Sequence, residues 1–176
     1  GADRALSEIY VIGDVGALDQ AEIESLPGVE KVVRVSREYR VIGRHAGDVR
    51  DAGFTYNGVR FDQHSLHVFA GLCAVDNPTN VETMMKLLQE QGQVCTRMGA
   101  YKPRTNPYSF QGHGAKCLPW VFELAGKYGI RVIAMEVTHD SHVQEIRQAL
   151  KDTGHPTGVM LQIGTRNTQN FELLKE

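Results

Sequence analysis

The sequence predicts an α/β fold in which parallel βαβ units form the main body and a small α+β segment precedes them. Three observations carry that expectation. From residue 64 onward, near-continuous apolar runs of strand length alternate with stretches of helical periodicity. Before residue 46 the order is strand, helix, strand, with period-two alternation in place of unbroken apolar runs. Arg97, Lys102, Arg104 and Arg166 fall at or just past the carboxyl ends of the apolar runs, where parallel α/β folds place their ligand sites. We therefore read 1–45 as the small module, 46–63 as linker and hairpin, and 64–176 as the βα body.

Each element has a local reason. IYVIGDV (Ile9–Val15) is rich in β-formers and reads as a strand. Asp19 stands as N-cap of the next helix, with Glu22 at capping-box spacing and Pro27-Gly28 ending it. VEKVVRVS alternates apolar and polar residues as a half-buried strand does, and REYRVIGRH extends or follows it. AGDVRDAGFTYN is polar and Gly-bearing, and its Asn57, with Gly58, predicts a tight hairpin.

HVFAGLCAV (His67–Val75) is the first apolar strand. Asn77-Pro78-Thr79 starts a helix to Gln91 with Val81, Met84, Met85, Leu87 and Leu88 inward. QVCTRMGAY is the second strand, followed by the long loop KPRTNPYSFQGHG and the helix AKCLPWVFELAGKYG, with Pro119 near its first turn. RVIAMEV is the third strand, SHVQEIRQALKDTG a helix ending at Gly154, GVMLQIGTRN the fourth strand, and NFELLKE opens another helix. Strands buried on both faces and joined through helices imply right-handed parallel crossovers.

Composition narrows the function classes. A formal charge of -2 gives no global attraction to nucleic acid or membrane, so any anion site must be a local cluster. No apolar run reaches the roughly 20 residues of a membrane span. No basic segment followed by an apolar one opens the sequence, and the three cysteines lack a disulfide-scaffold spacing. These features predict a protein of the reducing cytoplasm.

One stretch departs from the slightly acidic average. Between Glu90 and Glu123 there is neither Asp nor Glu, yet Arg97, Lys102 and Arg104 lie there. Arg97 sits inside an apolar strand, so its guanidinium is expected to aim into a site. A buried guanidinium requires a partner. Two readings follow: a bound phosphate or carboxylate held by bidentate bonds, or carboxylates brought from elsewhere in the fold. Taken alone, Cys73 reads as a core residue, although its place near a strand end leaves metal ligation or nucleophilic chemistry open. Cys95 and Cys117 read as core. His139-x-x-His142 is either a metal pair or a helix start, and Asp140-Ser141 beside it favours capping. Tyr108 and Phe110 fit loop packing and ligand contact equally. The sequence contains no Walker loop, GxGxxG, HExxH or nucleophile elbow.

FAGLCAVD, RMGAYKPRTNPYSFQGHG, MEVTHD and LQIGTRNTQNFELLKE, in this order and spacing, resemble the 3-deoxy-D-arabino-heptulosonate 7-phosphate (DAHP) synthase family. The resemblance runs from Phe61 to Glu176 and is to the branch with a ferredoxin-like N-terminal extension. It implies a (β/α)8 TIM barrel, of which 64–176 would supply the first four βα units, preceded by a partial ferredoxin-like module. The implied reaction condenses phosphoenolpyruvate with erythrose 4-phosphate at the entry to the shikimate pathway of aromatic amino-acid biosynthesis. C3 of phosphoenolpyruvate attacks an aldehyde polarised by a divalent metal ion, water adds at C2, and phosphate leaves. By the same resemblance Cys73 is a metal ligand. Arg97, Lys102 and Arg166 hold the phosphate and carboxylate of phosphoenolpyruvate. Lys102, Pro103, Arg104 and Thr105 receive erythrose 4-phosphate, and Lys102 and Glu136 stand at the reacting centre.

The family usually has Pro at Leu72, Gly at Met98, Ser at Asn106, Ala at Thr165 and Met at Thr168. Met98 is expected to crowd a close approach that Gly allows. No charged group is lost, so anion binding is expected to be retained better than turnover. A barrel needs eight βα units in roughly 250 residues, and the family's remaining metal ligands (a His, a Glu and an Asp) come from its second half. Pairing of two copies would cover the open strand edges, so a homo-oligomer is expected. The alternative function is a non-catalytic paralogue acting as an anion-binding or assembly module.

Overall fold

The computed structural model describes residues 7–9, 11, 14–34 and 53–176. The chain divides into two compact units, Gly1–Val49 and Arg50–Glu176. In the first, helix α1 (Gln20–Glu24) starts at Asp19, whose carboxylate accepts from the Ala21 N–H at 2.9 Å. That is the cap the sequence predicts. The two expected flanking strands are not formed by the described residues of Ile9–Val15 and Val29–Ser36. Period-two alternation marks a surface suited to a sheet, but a strand exists only where a ladder partner takes its backbone groups. The segment 37–45 lies outside the described residues.

The second unit opens with the hairpin β1 (Gly53–Tyr56) and β2 (Val59–Asp62), paired antiparallel with Tyr56 opposite Val59. Asn57 and Gly58 make its two-residue turn with φ of 45° and 79°, the left-handed pair that a tight hairpin demands. A parallel sheet follows, ordered as in the chain: β3 (Gly71–Leu72), β4 (Cys95–Met98), β5 (Val132–Val137) and β6 (Gly158–Ile163). Between them run α2 (Pro78–Glu90), α3 (Leu118–Lys127) and α4 (Asp140–Asp152), and α5 (Phe171–Lys175) comes last. β3 is shorter than its apolar run, yet pairing with β4 continues past it through Gly99 N–H to Leu72 O and Val75 N–H to Gly99 O.

Register divides the sheet into two faces. Arg97 lies opposite Ala134, and Glu136 opposite Gln162, so Cys95, Arg97, Val132, Glu136, Met160 and Gln162 share one face. Met98, Ile133, Met135 and Val137 take the other and pack with Val81, Met85 and Phe122 in a core closed to solvent. Burying each such side chain contributes roughly 1.5–3 kcal/mol. Leu87, expected on the inner face of α2, is instead 50% exposed. The amino end of the first face is sealed by the hairpin: Val59 packs with Cys95 and Val132, and Phe61 and Met160 lie against them. Tyr56 Oη exchanges hydrogen bonds with the backbone of Val159, and Asn57 Nδ2 donates to Arg131 O at 2.7 Å. The described residues leave the carboxyl end of that face open, with the Arg97 side chain 30% exposed.

Candidate active site

At that open end β4 carries Arg97 inward while Met98, the next residue, turns to the helices with 0% exposure. Met98 therefore does not crowd the site, contrary to the expectation from its place after the arginine. Arg97 Nε donates to Gln162 Oε1 at 3.3 Å, and its Nη2 lies 3.7 Å from Glu136 Oε2. The carboxylate reading of Arg97 is thus met in part by an acid from β5. Gln162, a polar residue inside the apolar strand GVMLQI, was the signal for this partner. Glu136 is itself only 11% exposed. It packs on Gly164, where a Cβ would meet Glu136 Oε1 and oblige the carboxylate to shift.

Lys102 follows β4 and is buried at 6% exposure. Its Nζ donates to the Cys73 backbone carbonyl and lies 3.2 Å from Cys73 Sγ. Cys73 is exposed rather than in the core, which corrects the reading of the residue taken alone. Hydrogen bonding from Lys102, then from Arg97, holds its thiol below the ordinary range. Cys95 and Cys117 are buried as expected, and burial pushes both thiols up, Cys117 to about 11.

Arg166 lies in the short 3-10 turn Thr165–Asn167 after β6, and its Nη1 donates to Pro103 O at 3.5 Å. Arg97, Lys102, Cys73 and Glu136 thus converge through direct contacts, and Arg166 joins them at the Lys102–Pro103 segment. Arg104 and Thr105 are exposed on the following loop, where Arg104 Nε donates to Phe110 O at 3.4 Å. Among the described residues neither forms an ion pair or a side-chain hydrogen bond with the converging side chains. The loop holds itself: Lys102 N–H bonds Gln111 O, and Gln111 Nε2 bonds Asn106 O. Tyr108 is 95% exposed, and Phe110 meets His113 edge-on. Among the described residues no carboxylate forms an ion pair with Lys102, Arg104 or Arg166. His139 caps α4 by accepting from the Ser141 N–H, which settles the helix-start reading of that pair.

The DAHP synthetase I family model matches residues 23–176. The chain belongs to that family. A phospho-2-dehydro-3-deoxyheptonate aldolase of Thermotoga maritima is 35% identical over 176 residues, all of this chain and 48% of that protein. The crystal structure of the Thermotoga maritima DAHP synthase superposes with a TM-score of 0.66 at 34% identity, covering 93% of this chain and 45% of the other. A truncated form of the Thermotoga maritima enzyme gives 0.55 at 27% identity, covering 70% and 40%. The chain spans about half the length of the curated relative it matches. Its DAHP synthetase I membership accords with the α/β architecture and the parallel sheet. No helix of the described residues is long and apolar enough to cross a membrane.

Proposed function

We propose that this chain provides the phosphoenolpyruvate-binding side of a DAHP synthase, with β3–β6 as the first four strands of a (β/α)8 barrel. Strand order equal to chain order supports the barrel arc. The observation that carries the function is the gathering of Arg97, Lys102 and Arg166 on one strand rim, with a carboxylate within ion-pair reach of Arg97 alone among the described residues. Uncompensated guanidinium and ammonium groups in a half-buried setting suit a phosphorylated acid. In this reading Arg97 and Arg166 grip phosphate and carboxylate oxygens, Lys102 neutralises charge at the reacting carbon, and Glu136 stands at the reacting centre beside Arg97. Pro103, Arg104 and Thr105 present the exposed loop to erythrose 4-phosphate.

The family's divalent metal would find one donor here, the Cys73 thiolate, whose stabilisation by two cations fits ligation. Among the described residues no group of three metal-ligating side chains is present. The metal, when bound, polarises the aldehyde for attack. The test is erythrose 4-phosphate-dependent phosphate release from phosphoenolpyruvate in metal-supplemented protein. Chelator and Cys73→Ala should each abolish it, and release that survives both contradicts the reading. The same cations also support a second reading, an anion-binding module without turnover, because gripping a phosphorylated acid needs no metal. Phosphoenolpyruvate binding with no phosphate release would favour it. Both readings take the protein as a homo-oligomer of the cytoplasm.

A further inference from the structure

Behind the Lys102 loop, on the helix-facing side, lies a cluster that the chemistry above leaves unused. Tyr101 directly precedes Lys102 and is 5% exposed. Its ring stacks on His142 of α4, with centroids 3.7 Å apart and planes 13° apart. Its hydroxyl donates to Glu145 Oε2 at 2.7 Å, one helical turn after His142. The His142 Nδ1 accepts from the Thr138 N–H at 3.2 Å, which places the neutral ring's proton on Nε2. Thr138 stands two residues past Glu136. One imidazole therefore touches the residue beside Lys102 and the backbone just after Glu136.

We propose that Tyr101, His142 and Glu145 are positioning residues, a latch that ties the loop after β4 to the loop after β5 and so fixes Lys102 relative to Glu136. What is positioned rests on the synthase reading; the latch itself rests on geometry alone. Tyr101 and Lys102 are adjacent, one held by His142 and Glu145 and the other bonded at Cys73, so anchoring Tyr101 fixes the backbone that carries Lys102. The latch favours a neutral imidazole, because a protonated Nδ1 would set donor against the Thr138 N–H at 3.2 Å and keep only the longer 3.5 Å contact to the Thr138 hydroxyl. Glu145, Asp140 and His139 face the ring from α4 and its cap, and Tyr101 faces it from the β4 loop, with Cys117 beside Tyr101. Burial dominates and holds His142 below its ordinary range, although Glu145 and Asp140 pull the other way. Burial first, and then Glu145, push the Tyr101 hydroxyl up, so it stays a donor. The latch is closed at neutral pH and opens as pH falls through the lowered His142 value.

The test is heteronuclear NMR of the whole chain from pH 7.5 to 5, following the His142 ring with the Lys102 and Thr138 amides, alongside phosphoenolpyruvate titrations. In wild type all three resonances should share one midpoint. In His142→Phe, which keeps a stacking ring, the Lys102 amide should lose that step. Tyr101→Phe, one oxygen smaller, should speed Lys102 and Thr138 amide exchange together by about tenfold, the worth of a hydrogen bond to a charged group. It should also weaken phosphoenolpyruvate binding by a similar factor. Lys102 shifts that ignore His142, or a step that persists in His142→Phe, overturn the latch. If His142→Phe does not fold, unchanged amide exchange in Tyr101→Phe overturns it equally. A shared midpoint in a protein that binds no phosphoenolpyruvate supports the latch and removes only the synthase reading.

Discussion

The two faces of the β3–β6 sheet are built from the same strands and do opposite work. On the helix side, Met98, Ile133, Met135 and Val137 are fully buried among apolar neighbours. On the other side, at the carboxyl end, Arg97 reaches both Glu136 and Gln162, and Lys102 bonds Cys73. Arg97 and Met98 are adjacent in sequence, yet one meets Glu136 at the charged end and the other is buried in the core. Strand alternation lets a rigid, apolar wall carry charged groups at little risk to the fold. Variants on the two faces should therefore separate stability from binding.

The largest effect is expected on the packed face. Phe122→Ala should destabilise by about 3–5 kcal/mol, seen as a lower denaturant midpoint; a loss below about 1 kcal/mol would mean that the core is looser than its burial implies. On the open face, Lys102→Ala or Arg166→Ala should weaken phosphoenolpyruvate binding roughly tenfold or more, from one or two charge-assisted bonds. The Arg166→Ala protein should keep its denaturant midpoint. Glu136→Gln removes the acid that the described residues place beside Arg97, so inorganic phosphate should bind about as well or a few-fold tighter, while phosphate release from phosphoenolpyruvate, in the synthase reading, falls. A drop in phosphate affinity would show that Glu136 orients Arg97 rather than competing for it.

Thiol chemistry sharpens the contrast further. Alkylation of the folded protein should modify Cys73 first, and Cys95 and Cys117 only after unfolding, as read by mass spectrometry of the peptides. Because Lys102 and Arg97 lower the Cys73 value, its reaction should already be advanced below the usual thiol range. In Lys102→Met the midpoint should move up towards the ordinary value. An unchanged midpoint would break the link between those two side chains.

Where the cause was local, the sequence spoke clearly. Asp19 and Asn77 cap their helices, Asn57-Gly58 turns the hairpin, and the apolar runs became parallel strands. Strand ends located the cations, and parity turned Arg97 inward. The misses are non-local. Which acid meets Arg97, and that Gln162 joins it, depends on the register of β4 with β5 and β6. The Tyr101–His142 stack depends on how α4 docks. Cys73 is exposed where β3, outermost among the described strands, ends early, a property of pairing rather than composition. The alternation in VEKVVRVS is real, but its described residues form no ladder.

Calorimetric titration of phosphoenolpyruvate into the wild-type chain and into Arg166→Ala tests the central claim most directly. Saturable binding that weakens at least tenfold in the variant is the predicted result, about 1.4 kcal/mol per decade. Wild-type and variant curves that coincide, or no heat of binding in either, would contradict it.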